Sequence, residues 1–165
     1  MTLRHIKTRK QFQILLGHPP VARTAHFCLH LLPLSELAEA ELGLSAGANA
    51  SSASMAVGAM LPKRWARRAA TRNLLRRQVY AVALEAVRAR ATDAEPVAIL
   101  VRLRAGFHAR TRQRGGSPAA TDSAAAVFRS AASAPLRAAV RQELLTLFAR
   151  ARLMAVTAAD LQRQL

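Results

Sequence analysis

One stretch of this sequence, residues 67–90, contains neither proline nor glycine and consists mostly of strong helix formers. Because these two residues are the usual helix breakers, the stretch predicts a single long helix. Apolar runs of strand length lie on both sides of it, MAVGAML at 55–61 and VAILVRL at 97–103, the second introduced by Pro96. Gly58 in the first run predicts a close backbone approach or a bulge. This order predicts helices packed against a sheet.

Three more segments are periodic. Residues 7–16 show the apolar spacing of a short amphipathic helix, and LRAAVRQELLTLFARARLM, which follows Pro135, shows that of a longer one. Residues 21–33 alternate as a strand with two different faces. One face carries Phe27, Leu29 and Leu31. The other carries His26, Cys28 and His30.

The predicted order is helix, strand, strand, helix, strand, helix. We therefore predict an α/β (α+β) two-layer sandwich with one small central sheet, folded as a single domain over residues 1–165. Residues 34–54 include the small-residue run SAGANASSAS, and residues 105–133 are rich in Gly, Ser, Ala, Thr and Arg. Both segments are predicted to be loop insertions.

The charge of the chain is strongly unbalanced. Its 25 lysines and arginines exceed its nine acidic residues, which gives a net charge of +16 and a pI near 11.9. An excess of this size attracts polyanions over long range, and nucleic acid is the expected partner. No apolar run reaches the ~18 residues that span a bilayer, and no signal-peptide pattern is present. Cys28 is the only cysteine, which fits a cytoplasmic protein without disulfides.

The charge is concentrated in residues 61–80, which hold seven cations and no acid. With about 100° between residues of a helix, Arg72, Asn73, Arg76, Arg77 and Tyr80 fall on one side, next to an apolar side. Guanidinium groups pair with phosphates, an amide can bond a base edge or a 2′-hydroxyl, and an aromatic ring can stack on a base. This combination favours RNA binding. The alternative is an ordinary solvated arginine face, but the mutual repulsion of so many cations lowers stability unless a polyanion relieves it.

The string LPKRWARRAATRNLLRR, residues 61–77, resembles the signature of the bacterial ribonuclease P protein family. In that signature a Lys/Arg pair ends a strand, and an Arg-Asn motif with further basic residues follows on a helix. The matching residues here are Lys63, Arg64, Arg67, Arg68, Arg72, Asn73, Arg76 and Arg77. Leu74 and Tyr80 occupy positions that are usually basic in the family, and the insertions 34–54 and 105–133 are longer than usual.

The resemblance implies a subunit that binds the catalytic ribonuclease P RNA through this helix and the nearby strand end. It also implies binding of precursor tRNA, whose single-stranded 5′ leader occupies a cleft between the first helix and the sheet. By position, the cleft residues are Phe12, Leu16, Cys28 and His30. The family favours aromatic residues at the positions of Leu16 and His30, whereas this chain keeps only Phe12. Helix–sheet packing is the alternative role for Phe12, and a half-exposed strand histidine is the alternative for His30.

The sequence indicates neither a catalytic residue nor a metal site in the protein. Its five histidines lie in unrelated segments, its carboxylates are few, and HExxH, GxSxG and glycine-rich phosphate-loop motifs are absent. As the resemblance implies, hydrolysis is assigned to the RNA partner with Mg²⁺. The chain is then an accessory endoribonuclease subunit that binds no cofactor, no membrane and no small-molecule substrate.

Two other classes of protein remain open. A ribosomal or other rRNA-binding protein would have the same charge distribution without an associated enzyme. A DNA-binding regulator would need a helix-turn-helix pair, whereas the long helix here follows a strand end.

Overall fold

A computed structural model describes residues 2–37, 53–90, 94–107 and 133–153 of the chain. The strands in these residues are β1 (Thr2–His5), β2 (Ala22–Arg23), β3 (Phe27–Pro33), β4 (Ala53–Met60) and β5 (Val97–Leu103). The helices are α1 (Arg9–Gly17), α2 (Ala69–Ala89) and α3 (Ala134–Arg150). Residues 34–37 are also helical.

The five strands form one mixed sheet in the order β1-β4-β5-β3-β2. Strands β1, β4 and β5 are parallel, whereas β3 is antiparallel to β5 and β2 is antiparallel to β3. Because β4 and β5 are parallel neighbours, their carboxyl ends lie at the same edge of the sheet, and α2 makes the crossover between them. The chain that enters α2 therefore lies beside the chain that leaves β5.

Alternate sheet residues contribute to two separate apolar clusters. The larger cluster includes Val57 and Ile99 of the sheet and is covered by α2 and α3. The smaller cluster includes Ala98 and Leu100 of the sheet and Leu15 of α1. Helices consequently lie on both faces of the sheet, with α1 opposite α2 and α3.

Helices α1 and α3 begin at side-chain caps. Thr8 and Gln11 form a reciprocal capping box at the start of α1, and the hydroxyl of Ser133 accepts a hydrogen bond from the N–H of Leu136 at the start of α3. Helix α2 differs, because the side chain of its N-cap residue Arg68 makes no capping hydrogen bond.

The predicted α+β sandwich around one small sheet is confirmed. From α1 onward the predicted order of elements holds except that the first predicted strand is two strands, β2 and β3. The structure adds β1, an edge strand that the sequence analysis missed. Its sequence, TLRH, contains one apolar residue, Leu3, and is too short to show an alternating pattern.

Residues 21–33 form two strands and not one. A turn separates β2 from β3, so the alternation of β3 does not extend to His26. The prediction that His26 shares a face with Cys28 and His30 is therefore wrong. Its ring Nδ1 lies 2.8 Å from a carboxylate oxygen of Glu143, which belongs to α3 on the opposite face.

The two predicted insertions lie mainly outside the described residues. At the start of the segment 34–54, Leu34 and Leu37 are buried in the smaller cluster, and at its end strand β4 begins at residue 53. Of the segment 105–133, only its first three residues and its last are described.

Candidate nucleic-acid interface

Helix α2 has one buried side and one exposed side. Leu75, Val79 and Val82 are fully buried against the sheet, as the helical spacing predicts, and Leu74 is buried in the same cluster. Asn73 is exposed on the other side of the helix. We call the exposed cations of the preceding entry turn (residues 61–68) and of the first part of this helix (residues 69–80) the basic surface. Its members are Lys63, Arg64, Arg67, Arg68, Arg76 and Arg77.

The entry turn is held by hydrogen bonds. The N–H of Trp65 donates to the carbonyl of Pro62 at 3.0 Å. Nη1 of Arg72 donates to the carbonyls of Ala66 and Arg67, at 2.9 and 2.7 Å. One guanidinium of α2 thus holds two backbone carbonyls of the turn, and it fixes the backbone from which the cations of the turn project.

Three other predicted RNA-binding side chains, those of Asn73, Arg76 and Tyr80, also contact neighbours. Nη1 of Arg76 donates to Oδ1 of Asn73 at 3.3 Å. The ring of Tyr80, half-buried one helical turn after Arg76, stacks on the exposed ring of His5 with centroids 4.2 Å apart and planes 13° apart. Tyr80 therefore stacks on a residue of β1, the strand that the sequence analysis missed.

The charges of the basic surface are not neutralised within the described part of the chain. The two ion pairs there join His26 to Glu143 and Arg141 to Glu85, and neither includes a cation of the basic surface. Like charges that lack acidic partners create a positive potential that attracts polyanions.

A groove of about 620 Å³ lies on the α1 side of the sheet, between the end of α1 and strands β2, β3 and β5. Its lining residues are Leu16, Gly17, His18, Pro19, Pro20, Arg23, Cys28, His30, Arg102 and Arg104. The structure therefore brings together three of the four predicted cleft residues, all except Phe12.

Three groove arginines were not predicted from the sequence. Arg23 comes from β2, Arg102 from β5 and Arg104 from the residue after β5. The alternation in VAILVRLR places Arg102 and Arg104 on one side of their strand, but only the pairing of Arg102 with Cys28 in the sheet brings them to the groove. Within the described residues, the buried Nε of Arg102 has no hydrogen-bond partner.

The groove floor contains a buried histidine and a thiol. His30 is only 4% exposed and not half-exposed, and its Nδ1–H donates to the carbonyl of His18 at 2.8 Å. Its Nε2 lies 3.9 Å from Sγ of Cys28. Burial raises the pKa of the Cys28 thiol above its ordinary value, and the positive charges of the three groove arginines offset this only in part. The thiol is therefore protonated near neutral pH, which makes it a poor nucleophile.

A comparison with protein families matches residues 2–116 to the family described as Ribonuclease P, and this range covers well over half of the chain. The chain belongs to the bacterial ribonuclease P protein family. A search among curated proteins gave no match. Membership connects the chain to RNA binding, to tRNA processing and to an endoribonuclease complex that contains an RNA partner. The matched range includes both the basic surface and the groove.

In this ribonuclease P protein, Phe12 packs between α1 and β4. Its half-buried ring belongs to the smaller cluster, and its Cε1 lies 3.1 Å from the place that a Cβ on residue 58 would occupy. The close approach predicted at Gly58 is therefore confirmed, and the ring of Phe12 is the group that lies against this glycine. The ring lies one turn of α1 before Leu16, which lines the groove.

Among the residues that the structure describes, no group of three or more His, Cys, Asp or Glu side chains could hold a metal ion. In the same part of the ribonuclease P protein, no helix has the length and apolar character needed to cross a membrane. Three of the histidines have other contacts: His5 stacks on Tyr80, His26 pairs with Glu143, and His30 bonds a backbone carbonyl.

Proposed function

We propose that this subunit binds the catalytic RNA of ribonuclease P through the basic surface and assists removal of the 5′ leader from precursor tRNA. The observation that carries the proposal is the basic surface itself. Its six cations are exposed, and the entry turn that presents four of them is held by Arg72. Because this backbone is already ordered, binding RNA phosphates there loses little further backbone entropy.

The groove on the α1 side is proposed to hold the single-stranded leader. Its three arginines can pair with phosphates of the leader, while the half-buried Leu16 offers an apolar contact to a base. The groove also adjoins the entry turn, because Arg104 lines the groove and the next two residues lie beside that turn. A leader in the groove and a catalytic RNA on the basic surface can thus be bound at the same edge of the sheet.

Hydrolysis is proposed to belong to the RNA partner, with Mg²⁺ held by the RNA. The contribution of this chain is then positive charge, which replaces part of the cation screening that a folded RNA and its substrate need. Its effect is expected to be greatest at low Mg²⁺. We place this activity in the cytoplasm, which the single cysteine also fits.

Binding of the full chain to ribonuclease P RNA over a range of salt concentrations tests the proposal. Each phosphate contact contributes about 0.7–0.9 to the slope of log affinity against log salt. We expect Arg76→Ala and Arg77→Ala each to weaken binding and to reduce the slope by this amount. Asn73→Ala should weaken binding without changing the slope, because an amide releases no counterions.

Arg88→Ala is the matched control, since it removes an exposed cation at the far end of α2. An unchanged affinity and slope in the Arg76→Ala/Arg77→Ala double variant contradict the proposal. Equal affinity for a ribosomal RNA fragment of the same length would instead favour a general rRNA-binding protein.

A further inference from the structure

A second cavity, of about 710 Å³, lies between the entry turn and the chain that leaves β5. We call it the turn pocket. Its lining residues are Arg64, Trp65, Arg67, Arg68, Thr71, Ala105 and Gly106. Its volume is within the range of about 300–1,000 Å³ that is typical of small-ligand sites.

The backbone around the turn pocket is held by contacts within the protein. Trp65 packs against the larger apolar cluster, and its N–H bonds to Pro62. The carbonyl oxygen of Trp65 would lie 3.0 Å from a Cβ on Gly106, so the two segments meet backbone to backbone and only a glycine fits there comfortably. Arg72 also holds the turn, through its hydrogen bond to the carbonyl of Ala66.

The chemistry of the lining suits a phosphate next to a planar apolar group. Three exposed arginines, Arg64, Arg67 and Arg68, line the same cavity as the indole of Trp65. Helix α2 begins at the pocket with no acidic residue in its first turn, so the positive end of its dipole adds to the same field. Arg64 lies over the indole, 5.6 Å from the ring centroid, which shows that a planar cationic group reaches the ring from the solvent side.

We propose that the turn pocket binds one unpaired nucleotide of an RNA, with its phosphate on Arg67 and Arg68 and its base against Trp65. The base takes the place of Arg64 on the indole, and the released Arg64 guanidinium then pairs with the phosphate. A purine is preferred, because its larger ring covers more of the indole. The inference rests on the proposed function in one respect, which is that the nucleotide belongs to an RNA.

The full chain can report on this site directly, because Trp65 is its only tryptophan. The test is a titration with AMP, followed by the fluorescence of Trp65, and by displacement of AMP with ribose 5-phosphate and with inorganic phosphate. Base–aromatic stacking should make AMP bind roughly 5- to 150-fold more tightly than ribose 5-phosphate. Equal affinities would show an anion site without base recognition, and a fluorescence that does not saturate would show no site. Either result overturns the proposal.

Variants of the lining residues show which side chains contribute to AMP binding. Calorimetry of Trp65→Leu, which keeps an apolar side chain, should give AMP the affinity of ribose 5-phosphate, whereas Arg67→Ala/Arg68→Ala should weaken both ligands. If Trp65→Leu does not fold, Trp65→Phe takes its place in the test. This variant keeps a stacking ring and should bind AMP with an affinity between those of the original chain and of ribose 5-phosphate. Arg88→Ala should bind AMP like the original chain, and a similar loss in that variant would mean that general charge, and not the pocket, binds the nucleotide.

The pocket proposal and the proposed function can be contradicted independently of each other. If the chain binds ribonuclease P RNA as described above but shows no preference for AMP over ribose 5-phosphate, the pocket proposal alone is wrong. If it prefers AMP but binds ribonuclease P RNA no better than other RNA, the proposed function is wrong and the pocket remains.

Discussion

Arg72 donates a hydrogen bond to the carbonyl of Ala66, so a cation of the Arg-Asn motif serves the fold of the protein. Ala66 is 2% exposed, and its carbonyl lies 2.9 Å from Nη1 of Arg72. Arg76, four residues later, is exposed and bonds only to Asn73 among the described residues. The two arginines therefore differ in their contacts although they lie on the same side of α2.

Replacing Arg72 with alanine should lower the free energy of unfolding by about 1–2 kcal/mol, because a charged donor to a buried carbonyl is lost. Arg76→Ala should change the same free energy by less than about 0.5 kcal/mol. Urea unfolding of both variants measures the difference. Equal stabilities would mean that Arg72 does not hold the entry turn.

The carboxylate of Glu143 should make stability depend on pH. Burial opposes its ionisation, but hydrogen bonds from the ring and backbone of His26 and from Thr24 outweigh burial and lower the pKa of Glu143. A lowered pKa favours the ionised form in the folded state. Its stabilisation is therefore present above the ordinary carboxyl pKa and is lost as pH falls through the lower folded value.

Glu143→Gln should thus lower the free energy of unfolding by about 1–2 kcal/mol near neutral pH. The difference from the original chain should shrink as the pH is lowered below the ordinary value of 4.5. Urea unfolding across this range is the measurement. A difference that stays constant into acid would show that the charge of Glu143 contributes nothing.

The elements that were predicted correctly are those whose signal is local. VAILVRL is an uninterrupted apolar run, and β5 has the same bounds as predicted, 97–103. The buried side of α2 follows from helical spacing alone. The groove arginines were missed because Arg23 and Arg102 are brought together only by the pairing of three strands, and such long-range pairing leaves no local pattern. The side of His26 was misjudged because alternation stops at a turn that the residues 21–33 do not reveal.

Cys28 can report on the contents of the groove, because it is the only cysteine and lines the groove. Its raised pKa means that alkylation should be slow at neutral pH and half-maximal above pH 9.0. In the complex with ribonuclease P RNA, precursor tRNA with a 5′ leader should slow alkylation further. Mature tRNA, which lacks the leader, is the control. Equal protection by both would place the leader elsewhere.

Substitutions at Gly58 and Phe12 should have strongly coupled effects on stability. A methyl group at residue 58 would lie 3.1 Å from the ring, so Gly58→Ala should destabilise the fold by about 1–3 kcal/mol through overpacking. Phe12→Leu, a smaller side chain, should recover part of that loss in the double variant. Additive effects of the two substitutions in a double-mutant cycle would show that they do not share this contact.

Cleavage of precursor tRNA with and without ribonuclease P RNA tests the central claim most directly. Protein that is rigorously free of RNA should not cleave, and added to the RNA it should accelerate cleavage most at low Mg²⁺. The Arg76→Ala/Arg77→Ala variant should need a higher concentration for the same acceleration, while Arg88→Ala should behave like the original chain. Cleavage by the protein alone, or no acceleration of the RNA at any Mg²⁺ concentration, would contradict the account.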